Sequence, residues 1–283
     1  MHKLEKKMML LDLICFDCLM EQVNKGEPKV FDGASIPTPF EQVNNDGIYE
    51  VNCAKGHNSK TIINNINFEI LFEYGLNAII DGYYREAVSS ITSAMERYFE
   101  FCIKTILTDS ISDFDFIDKT WKKVSSQSER QLGAYIMLYF KTFGKEPLLL
   151  NQNKEVPFRN SVIHKGYIPT KQEAINYGNS VMKIIEQSLI DLKHKFPKET
   201  EFTFKQYGYR KSAEKKFKNI EKETGSEQNY ACVNIMTTID VMHGRETNPK
   251  DERKGMVEDR IKTIEERREP RRLILLKDKS KRQ

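Results

Sequence analysis

No stretch of this chain approaches the roughly 18 consecutive apolar residues that a membrane span requires, so neither a transmembrane segment nor a membrane partner is expected. Net charge is nearly absent as well. Lys and Arg number 45 against 41 Asp and Glu, leaving +4; a chain-wide field for polyanions is excluded, and any basic patch must be local. Cysteine is scarce and odd in number, five in 283 residues. With no export signal in view, reduced thiols in the cytoplasm fit better than a disulfide framework. Residues 1–7 are charged and the apolar run 8–15 is short, with no small-residue cleavage site, so a signal peptide is not expected. What is present is 39% hydrophobic and 30% charged residues, enough for a buried core beneath a heavily charged surface. The length is enough for two domains.

After a short lead-in comes Cys15-Phe-Asp-Cys18, then a polar loop carrying Gly26, Pro28, Gly33, Pro37 and Pro39. Asp46-Gly47 is a hairpin-turn signal, and Ile48-Tyr49-Glu50-Val51 has strand composition. The strand runs into Cys53-Ala-Lys-Gly-His57. Two knuckles, C-x2-C and C-x3-H, separated by a hairpin resemble a zinc ribbon. That resemblance implies a structural zinc on Cys15, Cys18, Cys53 and His57, with Gly56 supplying the tight turn. Four protein ligands leave no open coordination position, so a catalytic role for the metal is not expected. The alternative is a set of buried free cysteines and an unrelated surface histidine.

From Asn67 the rhythm becomes helical. Phe68, Leu71, Phe72, Gly75, Leu76 and Ile79 recur with a 3.6-residue period. Asp81-Gly82 interrupts, and 83–107 predicts a long helix with Ala87, Val88, Ile91, Ala94, Met95, Tyr98, Phe99, Cys102 and Ile106 inward. A further helix is expected near Trp121, another over 128–143, and a long one over 171–195. Tyr135, Tyr139 and Phe140 are candidates for base stacking, although an aromatic stripe at this spacing is more often core.

Between the last two helices lies 157–170, Pro-Phe-Arg-Asn-Ser-Val-Ile-His-Lys-Gly-Tyr-Ile-Pro-Thr. Pro157 suits a first helical turn, Gly166 can end the helix, and Thr170 with Glu173 makes a capping box for the next one. Asn160 and His164 share a face of this short helix. Arg159 sits about 140° around from His164 and must curl to join it. Arg grips phosphate without losing its charge, and His gains and loses a proton near pH 7. The pattern Arg159-Asn160-x-x-x-His164, late in an all-α domain, resembles the HEPN superfamily of ribonucleases over about 65–195. The resemblance implies a helical bundle and a usual homodimer. It implies an endoribonuclease that needs no cofactor for catalysis, with Arg159, Asn160 and His164 catalytic. Glu96 becomes a possible site acid, against its ordinary reading as a solvated carboxylate paired with a Lys or Arg. Lys165 and Tyr167 become candidates for holding a phosphate and a base. Such proteins are commonly toxins or anti-phage effectors, so an antitoxin or defence-system partner is implied too.

Residues beyond Pro197 are more polar, with 22 Lys and Arg against 16 Asp and Glu, about +6, which biases them toward RNA or an acidic partner. A buried helix is expected over 229–242, and a solvated helix over 250–268 leading into Arg267, Arg268, Arg271 and Arg272. Cys232 and His243 have no ligand partners at useful spacing and are read as structural.

The expected architecture is therefore mainly α: a small N-terminal β zinc ribbon over 1–64, a HEPN-like helical bundle over 65–195, and a polar helical extension over 196–283. Three functions compete. The chain is an endoribonuclease, a non-catalytic RNA- or nucleotide-binding or assembly module, or a helical regulator in which Arg159 and His164 merely pair with acids.

Overall fold

The computed structural model describes residues 9–26, 40–242 and 255–280, with side chains in the last segment given as far as Arg268. The loop around Pro28, Gly33, Pro37 and Pro39, the segment that holds His243 and Lys250, and the side chains of Arg271 and Arg272 lie outside the described residues.

The chain is mainly helical. It opens with β1 (Leu10–Asp12), α1 (Phe16–Asn24), β2 (Phe40–Gln42), β3 (Ile48–Asn52) and β4 (Asn58–Ile63). Seven helices follow: α2 (Asn67–Asp81), α3 (Tyr84–Thr108), α4 (Phe114–Trp121), α5 (Ser128–Phe143), α6 (Glu155–Lys165), α7 (Lys171–Lys195) and α8 (Pro197–Tyr207). The described part closes with α9 (Tyr209–Thr224), β5 (Tyr230–Val233) and α10 (Val257–Ser280). Two compact units result. One comprises Met1–Ile66, Tyr207–Met236 and Glu265–Gln283, the other Asn67–Gln206 and Thr237–Ile264.

In the first unit β3 and β4 run antiparallel and β5 joins β4 in parallel. The side chains of β4 divide between two faces, as a period of two requires. Thr61 donates to the Ile14 carbonyl just ahead of α1. Ile62 points the other way and is buried with Ala213 and Phe217 of α9. The sheet thus lies between α1 and α9. A turn does form at Asp46-Gly47, where Asn44 Oδ1 accepts from both backbone N–H groups at 3.0 and 2.8 Å. Yet β2 pairs with β1 and β3 with β4, so that turn joins two sheets. The hairpin proper is β3–β4, closed by Cys53 to His57. The helix expected over 229–242 is replaced by β5 and irregular chain. Buried Ala231 and Val233 alternate with more exposed Tyr230 and Cys232, a strand pattern that satisfies the free edge of β4.

The second unit is a helical bundle built on α3. Gly75 lets α2 come close to it: a Cβ there would meet Ile91 Cγ1 at 2.6 Å. Phe68 packs edge-on to Tyr98 with ring centres 5.3 Å apart, and Phe99 stacks on Tyr135 at 4.2 Å. Tyr135 and Tyr139 are buried core, whereas Phe140 is 52% exposed. The described residues 237–242 and 255–264 add polar contacts to the bundle. The buried carboxylates of Glu69 and Glu73 accept from the N–H groups of Val241 (2.7 Å) and Thr238 (2.8 Å). Buried Arg260 donates to Thr238 Oγ1 at 3.1 Å. Asn179 of α7 accepts from Val257 N–H at 2.8 Å and caps α10.

Candidate active site and metal-binding cluster

The α6 helix is set by local chemistry. Asn151 Oδ1 accepts from Asn153 and Lys154 N–H (2.9 and 3.0 Å), a turn that launches the helix. Pro157 falls in the first turn, where no intrahelical N–H partner is needed. Val162 anchors the helix in the core. At the far end Gly166 adopts φ 74°, and the N–H groups of Gly166 and Tyr167 both return to the Ser161 carbonyl, the latter at 3.1 Å, which closes the last turn. The capping box forms on α7: Glu173 N–H donates to Thr170 Oγ1 (3.3 Å), and Thr170 N–H donates to Glu173 Oε2 (2.8 Å).

On this frame the Arg159 side chain engages Asn160 and Glu96. Its Nη1 donates to Asn160 Oδ1 at 3.0 Å, and its Nη2 lies 3.8 Å from Glu96 Oε1 of α3. That second distance exceeds the 2.7–2.9 Å of a charge-assisted hydrogen bond, so Glu96 attracts the guanidinium without occupying its donors. Burial pushes the Glu96 carboxyl above its ordinary value; Arg159 and Arg97 oppose the shift, and Glu129 adds to it. Behind Arg159, Tyr177 and Thr92 share a hydrogen bond of 2.8 Å, and burial pushes the Tyr177 phenol up to about 12. Arg159, Asn160 and Glu96 are therefore brought together. His164 lies one turn after Asn160 on the same side of α6. It is exposed, and among the described residues no acid or hydrogen-bond partner engages its imidazole. Lys165 is exposed beside it. Tyr167 is 43% exposed; its hydroxyl donates to Glu173 Oε1 at 3.0 Å, and its ring meets Phe158 edge-on at 6.3 Å.

The cysteine cluster lies in the first unit. Donor atoms of Cys15, Cys18, Cys53 and His57 all fall within 4.8 Å of one another. Cys18 Sγ is 3.6 Å from Cys53 Sγ and 3.4 Å from His57 Nδ1, and Cys15 Sγ is 3.8 Å from that nitrogen. Tetrahedral zinc, with bonds of about 2.3 Å to sulfur and 2.0 Å to nitrogen, sets ligand atoms roughly 3.5–3.8 Å apart, so the four residues fit such an ion. The knuckle at Cys53 is closed by Gly56 at φ 86°, whose N–H donates to the Cys53 carbonyl at 3.0 Å. Burial opposes ionisation of Cys53, but backbone N–H groups of His57 and Lys55 aimed at its sulfur hold the thiol below its ordinary value. Burial, with hydrogen bonds to Cys53 and Cys15, pushes Cys18 up to about 12. A bound dication would reverse that, because a coordinating thiol is held deprotonated.

Two supporting residues escaped the sequence reading. Glu21 of α1 reaches His57 Nε2 at 3.4 Å and Lys55 Nζ at 2.6 Å. Ser59 accepts from Phe16 N–H at 3.0 Å and donates to Cys15 Sγ at 3.4 Å. Glu21 lies three residues after Cys18 and shares its helix face, a signal open to anyone who reads Cys15-x-x-Cys18 as the start of a helix. No protein-family model matches the chain, and no curated protein or solved structure matches it.

Proposed function

We propose that the helical unit is a metal-independent endoribonuclease of the HEPN type and that the Cys3His cluster of the other unit holds a structural zinc ion. The first reading rests on the resemblance of Arg159-Asn160-x-x-x-His164. One observation supports it above the others: Asn160 draws the Arg159 guanidinium toward the face on which His164 stands open. In the proposed reaction His164 takes the proton of a ribose 2′-hydroxyl or delivers one to the departing 5′-oxygen. The 2′-oxygen attacks phosphorus as the bond to the 5′-oxygen breaks. Products are a 2′,3′-cyclic phosphate and a 5′-hydroxyl. Arg159 offsets the charge that builds on the phosphate, while Asn160 orients His164 or the phosphate. Lys165 and Tyr167 flank the site as contacts for a neighbouring phosphate and base. This reading implies RNA as substrate, a second copy of the chain as partner, and an antitoxin or defence component that restrains it.

The test uses total RNA in buffer without added divalent cation. Wild type is expected to cut, and Arg159→Ala and His164→Ala to cut at least about 100-fold more slowly, the usual contribution of a charge-stabilising donor and of a positioned acid–base group respectively. Equal cleavage by the variants would remove these residues from the chemistry. Growth arrest on expression, relieved by either substitution, is the cellular counterpart. A second reading, a non-catalytic HEPN-like module that binds RNA or nucleotide, is favoured by the approach of Arg159 to Glu96; it predicts binding without cleavage by wild type. For the metal, about one zinc per chain is expected, lost in Cys53→Ser.

A further inference from the structure

The surface of α9 carries a second, separate feature. Its inward positions are Ala213 and Phe217, buried against Ile62 with Ile48, Ile220 and Tyr230 around them. At about 100° per residue, Lys211, Lys215, Lys218 and Lys222 fall within roughly 60° of arc on the opposite side. All four are exposed, and among the described residues none has an ion pair or hydrogen bond. The row is about 16 Å long at 1.5 Å per residue.

Its neighbours on the helix differ. Arg210 is paired with Glu214 at 2.7 Å and Lys216 with Asp46 at 2.8 Å. Glu221 accepts from Gln228 N–H at 2.9 Å. Glu214, Glu221 and Glu223 stand roughly 70–110° around from the centre of the row. Lys60, next to α9 on the sheet, is turned to Gln228 at 2.5 Å and over the Phe217 ring at 5.3 Å. Among the described basic residues of α9 the row alone has no acidic partner, and it forms a line of positive charge along the helix.

We infer that Lys211, Lys215, Lys218 and Lys222 form a docking surface for the phosphate backbone of a polynucleotide strand. Successive lysines lie one turn apart, 5–6 Å between Cβ atoms, and their long stems let each amine settle on its own phosphate. A lipid surface fits poorly, because an interfacial helix must bury its apolar face in the bilayer, and the apolar face of α9 is already committed to Ile62. The row makes no demand on base identity, so binding is sequence-tolerant and salt-sensitive. The inference does not rest on the nuclease reading.

The experiment measures fluorescence anisotropy of a labelled 20-nucleotide oligouridylate from about 50 to 200 mM salt, using the full chain with His164→Ala so that the probe survives. Three proteins are compared: the parent, a row variant with all four lysines changed to Gln, and a control with Lys119, Lys122, Lys123 and Lys141 changed to Gln. Four neutralised phosphates on a single strand contribute a log–log slope of about 2.8, or about 50-fold in affinity over that salt range. The row variant is expected to lose this dependence with unchanged circular dichroism, and the control to keep it. An oligothymidylate and a duplex probe then tell RNA from other polynucleotides. Equal affinity and slope in row variant and control would overturn the inference. So would a row variant that loses affinity only for phosphatidylserine vesicles or an acidic peptide.

Discussion

In the helical unit, α3 buries Val88, Ile91, Tyr98, Phe99 and Cys102 among the helices around it, and aromatic rings fill the space between them. In the sheet unit, the cluster between α9 and β4 comes down to Ile62, Ala213 and Phe217, edged by three half-buried residues. The opposite face of that sheet buries Val51, Ile63, Ala231 and Val233 and also carries Ser59, whose hydroxyl donates to Cys15 of the Cys3His cluster. A bundle of long amphipathic helices stabilises itself by apolar burial. The sheet unit has a second resource in Cys15, Cys18, Cys53 and His57, four side chains placed where a metal ion could cross-link the β3–β4 hairpin to α1.

The comparison breaks most visibly if metal is withdrawn. In Cys53→Ser, or after stripping with a strong chelator, amide protection in β3, β4 and α1 should collapse, because structural zinc contributes about 10 kcal/mol or more in small domains. Emission from Trp121, the single tryptophan, which belongs to the helical unit, should stay as it was. Unchanged exchange in the sheet would mean that the cluster is only a set of thiols. The converse test is Phe68→Ala. It should destabilise the bundle by about 3–5 kcal/mol, seen by Trp121 fluorescence in urea, whatever the metal content. A smaller effect sharpens the metal side. Glu21→Gln should weaken zinc affinity by about 10-fold or more in a competition titration, since the carboxylate orients His57 from its far nitrogen. Unaltered affinity would make Glu21 a partner of Lys55 alone.

The smallest effect belongs to Glu96. Its carboxyl titrates above the ordinary 4.5 in the folded protein. Just above 4.5 the folded chain therefore binds more protons than the unfolded one, and stability falls as pH rises through that window. Glu96→Gln should raise the melting temperature slightly at neutral pH and leave it unchanged below pH 4.5. A fall at neutral pH would show that attraction to Arg159 outweighs the cost of burial.

What could be read from the chain was what is decided locally. The bounds of α6 and α7 follow from Pro157, Gly166, Thr170 and Glu173, all within one short stretch, and the structure places them there. The four candidate metal ligands announced themselves by spacing and do converge. Contacts across long separations did not show. β5 joins β4, and Asn65 meets Ile235, 170 positions apart in the chain. Glu69 and Glu73 look like helix-surface acids until residues 238 and 241 bring their N–H groups to them. Asn179 reads as a mid-helix polar residue until α10 arrives to be capped. At the candidate active site, periodicity set Arg159 aside from His164; only the hydrogen bond to Asn160 decides which way its side chain bends.

The account turns most directly on the ribose 2′-hydroxyl. A defined RNA oligonucleotide and its 2′-O-methyl counterpart should be offered to the wild-type chain without added divalent cation, and the ends of any products analysed. The prediction is that the RNA alone is cut, leaving 2′,3′-cyclic phosphate and 5′-hydroxyl ends, and that the methylated strand stays whole. Cleavage of both strands, or RNA fragments ending in 5′-phosphate, would contradict the roles given to Arg159, Asn160 and His164.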